Sequence, residues 1–571
     1  MTVSAILPSA RLRLPGVGRL ALLVPIAALF AISFAWPLIT ILLRSFNETG
    51  RADIASGLFF GNYTSIVLDD LLRQVALHTA YLSAVSTVVT VIFAFPTAYL
   101  ISRLPPRASS FFMILVLIPF WVSILIRLFA FTAILGTQGL VNQFFGLFNL
   151  GPYSLLYNTG ATIIGMVAYL LPYMILILIS AMSAMDPALL TAAHTMGATQ
   201  RQAFWHIYLP QIRPALVSGA VLVFVLGLGF FLTPAILGGP RDLTIPIYIQ
   251  QQVSLFQWGR AAATGVVLLV VSFCGYILAL RVGGTRLLVP GHRSGSRGAV
   301  ARDPFKLSIG IWISIVMAAS VLCLLLLPLI VVIPSAFGET FQIRFPPVGF
   351  TFRWFHEVLT NPLWTSAVFK SLRVGALTAM VATALGLALA RIGTQLKSGS
   401  ARAAVQSLAI APVIAPVILL AIGIFDVQTH LKLIGSEFGL IIGHAIICLP
   451  LTFLILANAL RTSDPSLEQA AWTLGVGPIR AFWTIVIPNI VPAILGAALI
   501  SFATSWDEAV ISLFQVGLEK TLPVTIYSFL KSGVTPAVAA IADIVMLPIF
   551  LGAASMYAIG AIRSSRRAAN R

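Results

Sequence analysis

Blocks of about twenty consecutive apolar residues recur along this chain, and no other feature narrows its fold so far. A helix of that length, rising 1.5 Å per residue, crosses a hydrocarbon core of roughly 30 Å. Such runs lie at about 20–43, 75–101, 110–135, 160–184, 215–238, 260–280, 308–335, 367–390, 403–425, 439–460, 492–513 and 537–561. Of the 571 residues, 59% are hydrophobic and only 9% charged, against roughly 25% charged in soluble domains. The sequence therefore predicts an all-α polytopic membrane protein of about twelve transmembrane helices. Arg11, Arg13 and Arg19 precede an unbroken run from Leu20 to Leu43. That run exceeds the 7–15 residues of a signal-peptide core, so an uncleaved first span is expected, with its N-terminus inside.

The net charge of +18 does not point to nucleic acid, because loops retained in the cytoplasm are enriched in Lys and Arg. The even-numbered gaps carry Arg103 and Arg107; Arg201 and Arg213; Arg281, Arg286, Arg293, Arg297 and Arg302; Arg391, Lys397 and Arg402; and Arg461 and Arg480. Arg563, Arg566, Arg567 and Arg571 follow the last run. The odd gaps hold Glu48, Asp53, Asp69, Asp70, Asp242, Glu339, Glu357, Glu437 and Glu519. Both termini are thus expected in the cytoplasm. Cys274, Cys323 and Cys448 fall inside apolar runs and read as small buried hydrophobes, not as a disulfide or metal framework.

Between the sixth and seventh runs lies GGTRLLVPGHRSGSRGAVARDP, a Gly- and Arg-rich stretch that reads as a cytoplasmic linker. A boundary near residue 295 divides the chain into 1–295 and 296–571, and the halves repeat at an offset of 278. Leu171-Pro172 matches Leu449-Pro450, Asp186-Pro187 matches Asp464-Pro465, and Phe204-Trp205 matches Phe482-Trp483. About 25 positions from 163 to 220 are identical to their partners, too many for shared hydrophobicity alone. With six spans each, the copies point the same way and are expected to be related by a pseudo-two-fold axis along the membrane normal.

The best-matched part of the repeat is the gap between the fourth and fifth spans of each half, at about 185–214 and 463–492: MDPALLTAAHTMGATQRQAFWHIYLPQIRPAL and SDPSLEQAAWTLGVGPIRAFWTIVIPNIVPAI. Asp-Pro starts a helix well, since Asp caps free amides and Pro suits the first helical position. Ala192-Ala193 and Ala470-Ala471 allow close approach of another surface. Gly197 and Gly475 suit a left-handed helix stop. A second short helix carrying Phe204 or Phe482 is expected, closed by Pro210 or Pro488 before the next span.

This pattern resembles the EAA loop of the permeases of ABC importers, the type I family dependent on a binding protein. There the short helix docks on the ATPase subunit and transmits its motion. The resemblance implies two tandem six-helix permease repeats fused in one chain, and gives Ala192, Ala193, Gly197, Phe204, Pro210, Ala470, Ala471, Gly475, Phe482 and Pro488 a role in ATPase coupling. The family's glutamate is replaced by Thr191 in the first copy and Gln469 in the second, with Glu468 one residue early. No GxxxxGK[ST] sequence is present to cradle nucleotide phosphates. The chain is therefore read as a transport subunit, not an enzyme, without cofactor, working with a separate ABC ATPase (two copies) and a periplasmic solute-binding protein.

Within the family, TFRWFHEVLTNPLWTSAVFKSLRVGALTA and LIPFWVSILIRLFAF resemble the two permeases of spermidine/putrescine importers, which implies a polyamine or related organic cation. Fusion into one chain is common in ferric-iron importers, which keeps iron as an alternative. An ion-gradient-driven secondary transporter also has two homologous halves, but has no ATPase for such loops to meet. Charged groups inside spans are costly and usually line a pathway; here they are Asp426, Asp507, Glu508, Asp543 and Arg127. Asp507 and Glu508 fall about 15 residues into the eleventh run, beside Trp506. Carboxylates next to an aromatic ring suit an alkylammonium; equally, they suit pairing with a base to hold an outer gate. No constellation suggests metal ligation.

Overall fold

The computed structural model describes residues 24–48, 50, 58–283, 309–341, 345–396, 398–515, 517–533 and 535–547. Among them there are helices and connections but no strand. The first half supplies α1 (Val24–Ser45), α2 (Asp70–Arg103), α3 (Ile124–Leu135), α4 (Thr159–Ser183), α5 (Pro187–Thr195), α6 (Gln200–Leu228), α7 (Leu232–Leu237), α8 (Ile245–Ser254) and α9 (Trp258–Gly283). The second supplies α10 (Ile309–Ser335), α11 (Pro362–Gln395), α12 (Gly399–Ile414), α13 (Val417–His430) and α14 (Glu437–Thr462). It continues with α15 (Pro465–Thr473), α16 (Pro478–Asp507), α17 (Val510–Gln515), α18 (Leu522–Ser532) and α19 (Pro536–Leu547). Ten of the described helices are long and apolar enough to cross a membrane, and the bent pair α12–α13 makes an eleventh. The linker at 284–308 and the second part of the twelfth run lie outside the described residues.

Several runs that read as single spans are broken. The run 110–135 splits into Pro106–Leu117, a 3-10 turn at Ile118–Trp121 and α3, with Val122 extended between them and Ser123 as the N-cap of α3. The run 403–425 turns by 96° between α12 and α13, where Pro416 follows Ala415 and bars a continuous helix. The runs 215–238 and 492–513 likewise stop early, at Leu228 and Asp507, and resume as α7 and α17. Two of the three free cysteines, Cys274 and Cys323, are exposed on the surface of their helices instead of buried; Cys448 is buried as expected. An outward thiol costs little where the neighbour is lipid.

The described chain forms two compact units. The larger comprises residues 39–372, 415–422 and the described part of 507–571. Its core sets Met166, Leu170, Leu171, Met174, Ile175 and Leu178 of α4 against Leu82, Ala94, Ala98 and Ile101 of α2, with Val321 and Leu325 of α10. So α10, which follows the linker in sequence, packs into the first half's bundle. Lipid tails are as apolar as leucine, so small residues that admit close contact hold such bundles together. Gly227 is one: a Cβ there would stand 3.2 Å from the Ser83 side chain. The smaller unit comprises the described parts of 1–38, 373–414 and 423–506. There α14 packs on α12 and on the stretch Ala31–Ala35 of α1, Thr452 donates to the Ala382 carbonyl at 3.0 Å, and His444 Nδ1 meets the Ser505 hydroxyl at 2.8 Å.

The repeat extends beyond what the sequence displays. Helices α2 and α11 are both 34 residues long and align at an offset of 362 − 70 = 292, whereas α5 and α15 keep 465 − 187 = 278. The difference accrues before α4, where residues 136–158 of the first half answer 431–436 of the second. One interaction recurs at matching places. The first amide of α8, Ile245 N–H, donates to the Thr79 hydroxyl of α2 at 2.9 Å. The first amide of α18, Leu522 N–H, donates to the Ser371 hydroxyl of α11 at 2.8 Å. The preceding residue is a base in both. His78 Nε2 lies 3.0 Å from Asp242, which also accepts from Thr159 and the Gly239 amide. Lys370 Nζ donates to the Glu519 carbonyl at 2.8 Å. Each half thus caps a helix start from a neighbouring helix.

Among the described residues three π-turns occur, Ala31–Ala35, Phe204–Tyr208 and Phe482–Val486, and each ends two residues before a proline: Pro37, Pro210 and Pro488. Proline lacks an N–H and clashes with the carbonyl four residues back. A wider turn, in which Leu209 N–H bonds Phe204 and Ile487 N–H bonds Phe482, moves that carbonyl aside. The second helix of each candidate loop is therefore not closed by Pro210 or Pro488; it runs on into the span.

Losing a helix cap costs about 0.5–2 kcal/mol. Thr79→Val and Ser371→Ala are expected to lower stability by about 1 kcal/mol each. Ser320→Ala, whose hydroxyl bonds only within α10, is expected to leave it unchanged. Thermal unfolding in detergent checks all three.

Candidate functional site

The two loops have the same geometry, residue for residue. Asp186 and Asp464 accept from the amides of Ala188 and Ser466, both at 2.9 Å, and Pro187 and Pro465 take the first helical position. The Ser466 amide holds the Asp464 carboxyl below its ordinary range, so this cap stays charged at neutral pH. At the other end Gly197 and Gly475 have φ of +86° and +83°. The amides of Gly197 and Ala198 bond the carbonyls of His194 and Ala193, and those of Gly475 and Val476 bond Trp472 and Ala471, all at 3.0 Å. This is a Schellman stop. Nothing lies within 4 Å of a Cβ built at either glycine, so the backbone angle, not space, demands glycine there.

Each alanine pair divides its work. Ala193 and Ala471 are buried in the bundle, while Ala192 and Ala470 are exposed. Phe204 and Phe482 are half-buried and begin the π-turns; Pro210 and Pro488 are exposed. Apolar side chains left outward recur in register: Met196 at 87% and Leu474 at 83% exposure, Trp205 at 56% and Trp483 at 61%. Thr191 and Gln469 stand at the expected glutamate position, and Glu468 turns inward to pair with Arg391 of α11.

The second group of candidate residues gathers at the broken α3. Asp507, the last residue of α16, accepts from the Ile124 amide at 3.0 Å and bonds the Ser123 hydroxyl. It thus caps α3 from outside that helix. Glu508 accepts from the Ile511 amide at 2.8 Å and caps α17. Buried Arg127, in the first turn of α3, lies within electrostatic reach of Asp507 and sets its guanidinium 5.4 Å from the Tyr169 ring centroid. Tyr169 and Tyr173 share a hydroxyl contact at 3.2 Å, and Phe120 and Phe230 meet them edge-on at 4.8 and 5.1 Å. The structure therefore brings Asp507, Glu508 and Arg127 together. It adds four aromatic residues that sequence reasoning passed over. Their one signal was Tyr169 and Tyr173, a helical turn apart around Pro172.

The other candidates lie elsewhere. Asp426 is buried in the smaller unit with His430 Nδ1 4.0 Å away. Trp506 is stacked on Phe502 at 5.9 Å. Asp543 of α19 has both carboxylate oxygens buried without a hydrogen-bond partner among the described residues. Asp507 and Glu508 are also not mid-helix, as their place in an apolar run implied, but at a helix break. No group of three or more His, Cys, Asp or Glu with metal-binding geometry occurs among the described residues.

At a left-handed φ the penalty for any Cβ is roughly 1–2 kcal/mol. Gly197→Ala and Gly475→Ala should therefore cost roughly 1–2 kcal/mol each although no neighbour crowds the site, and the β-branched valine variants more. Hydrogen exchange across residues 187–205 and 465–483 measures it; alanine variants as protected as wild type would show that the backbone angle does not demand glycine.

Comparison with known proteins bears on these loops. The model of a family described as the inner membrane component of binding-protein-dependent transport systems matches twice, over residues 54–283 and 382–561. The chain is similar to the spermidine/putrescine transport system permease protein PotB of Escherichia coli (strain K12), 31% identical over 258 residues, 44% of this chain and 92% of that protein. It is also similar to the putrescine transport system permease protein PotI of the same organism, 28% identical over 205 residues, 35% of this chain and 73% of that one. A chain in the crystal structure of a bacterial alginate ABC transporter, in complex with a periplasmic protein bound to alginate pentasaccharide, matches with 20% identity and a TM-score of 0.39. That match covers 47% of this chain and 95% of the other.

Proposed function

Because the chain belongs to the family of binding-protein-dependent transport system inner membrane components, we propose that it forms the membrane pathway of an importer for a polyamine of the spermidine or putrescine kind, or a related small organic cation. Membership makes it an ABC importer permease, a transport subunit and not a catalytic enzyme. Energy comes from a separate ATPase, one subunit meeting each coupling loop through the outward residues around Met196 and Leu474. Loops 185–214 and 463–492 and both termini face the cytoplasm, and a periplasmic binding protein delivers the solute.

The observation that carries the substrate class is the cluster at the α3 break. Two carboxyl groups, one arginine and two tyrosines share one bundle, a set with more acids than bases and aromatic faces. Alkylammonium groups take charge pairing and cation–π contact from such a set. The curated relatives named for spermidine and putrescine support the same class. Asp426, Asp543 and Trp506 are the further pathway candidates.

The test is uptake by the full complex in proteoliposomes. Asp507→Asn with Glu508→Gln removes two negative charges with little change of size. Charged hydrogen bonds contribute about 1.5–3 kcal/mol each, so uptake of spermidine or putrescine is expected to fall at least tenfold, with ATP hydrolysis in the absence of solute unchanged. Raised hydrolysis without solute would mean that the acids hold a gate instead. Concentrative uptake by the chain alone on a proton or sodium gradient would overturn the ATP-driven reading.

A further inference from the structure

Each coupling loop is gripped by the second helix of its half at one register, and the two halves use different chemistry to do it. At the offset of α2 and α11, Tyr99 corresponds to Arg391 (391 − 99 = 292). Tyr99 meets Phe204, the first residue of the π-turn, edge to face at 6.1 Å, and Phe95 one turn earlier meets it at 6.3 Å. Arg391 lies over the equivalent Phe482, 4.8 Å from its centroid, and pairs at the same time with Glu468. In the first loop the place of Glu468 is taken by Leu190 (468 − 278 = 190). Arg391 therefore reaches both helices of the second loop, α15 through Glu468 and the start of α16 through Phe482. The first loop has no such ion pair among the described residues: rings hold Phe204, and Arg103 of α2 lies over Tyr99 at 4.5 Å and Tyr208 at 5.8 Å.

The two grips differ in stiffness. The side chains of Arg391 and Glu468 are only 16% and 10% exposed, and a charge that leaves its partner in such a place stays desolvated and uncompensated. A planar guanidinium also fixes direction, holding a carboxylate in its plane and a ring on its face. Edge-to-face rings tolerate sliding far better, since their preferred separations span several ångströms. The second loop thus moves with α11 as one body, while the first can shift against α2.

Resting on the coupling role proposed above, we infer that Arg391 is a positioning residue for transport: it carries the displacement of the second loop into α11, and Tyr99 is its weaker counterpart. The two loops are then unequal in coupling despite matching backbones.

The test uses the full complex in proteoliposomes and reads ATP hydrolysed per solute imported, with co-purification of the ATPase and thermal stability measured on the same samples. Arg391→Ala is expected to raise the ratio about tenfold, within the roughly 5–150-fold range of coupling between sites. Tyr99→Ala, which loses ring contacts and the Arg103 stack but no ion pair, should raise it about threefold. Arg391→Ala leaves Glu468 buried alone and can lower yield, so Arg391→Tyr with Glu468→Leu installs the first half's chemistry in the second. That double variant is expected to return the ratio to within about threefold of wild type, as the ring contact replaces the pair. A wild-type ratio in Arg391→Ala, or a double variant as uncoupled as Arg391→Ala while stable and assembled, overturns the inference alone. Failure of the wild-type chain to co-purify with any ATPase overturns the coupling reading and this inference with it.

Discussion

A backbone amide that loses its helical partner inside a bilayer has no water to turn to, and the described structure is organised around that constraint. Where proline interrupts a helix, at Pro37, Pro210 and Pro488, the chain widens into a π-turn and keeps going. At three helix starts between spans, a side chain from another element meets the first amide. Thr79 meets Ile245, Ser371 meets Leu522 and Asp507 meets Ile124. The carboxylates read from sequence as pathway residues are therefore also structural parts. Asp507 and Glu508 hold in place the break beside which they stand.

The same constraint explains what the repeat keeps and what it lets vary. Each half must meet an amide at the start of α8 or α18 and hold the aromatic residue that opens a π-turn. Which groups do so is free. A histidine short enough to need a carboxylate at hand uses Asp242, whereas a lysine on a four-carbon stem reaches past the side chain of Glu519 to its carbonyl. Tyrosine and arginine exchange at positions 99 and 391 because an edge-on ring and a stacked guanidinium can both seat against phenylalanine. Backbone geometry is thereby preserved at sites where side-chain identity is not, which is why identity between halves is concentrated in 163–220 and thin elsewhere.

The parts legible in the sequence are those in which one residue type has one physical meaning. Twenty apolar residues mean a span, and the doubled Asp-Pro followed ten residues later by Gly (197 − 187 = 10) marks a short helix with a left-handed stop, as found. The breaks were hidden because hydropathy reports that a segment is apolar and nothing about its direction. Ser123 and Pro416 sit in runs that stay apolar on both sides. Pro210 and Pro488 misled for the opposite reason: a proline after aromatic residues reads as a terminus, and only the π-turn reveals a helix that passes through it. Tyr169, Tyr173, Phe120 and Phe230 look like any other aromatics in a span until α3 breaks beside them. The grip of Arg391 was out of view because its partner is 77 residues away and its equivalent in the other half is uncharged.

A carboxylate already serving as a helix cap also sets how a pathway can hold its cargo. Asp507 spends one oxygen on the Ile124 amide, bonds the Ser123 hydroxyl and shares its charge with Arg127. On the proposed function, an arriving cation meets an acid that is partly satisfied, so the gain on pairing is smaller than for a bare carboxylate, and the tyrosine faces share in recognition. Weak holding is what a pathway needs, since a solute bound tightly at one point is not released at the next. Tight capture then belongs to the binding protein that the family name specifies. Any pull on Asp507 is also a pull on the first turn of α3, because the cap and the candidate binding group are the same atoms. On the reading proposed here, solute at the cluster and the angle of that break are one mechanical element, and the acid that recognises the cation is the acid that keeps the helix start from fraying.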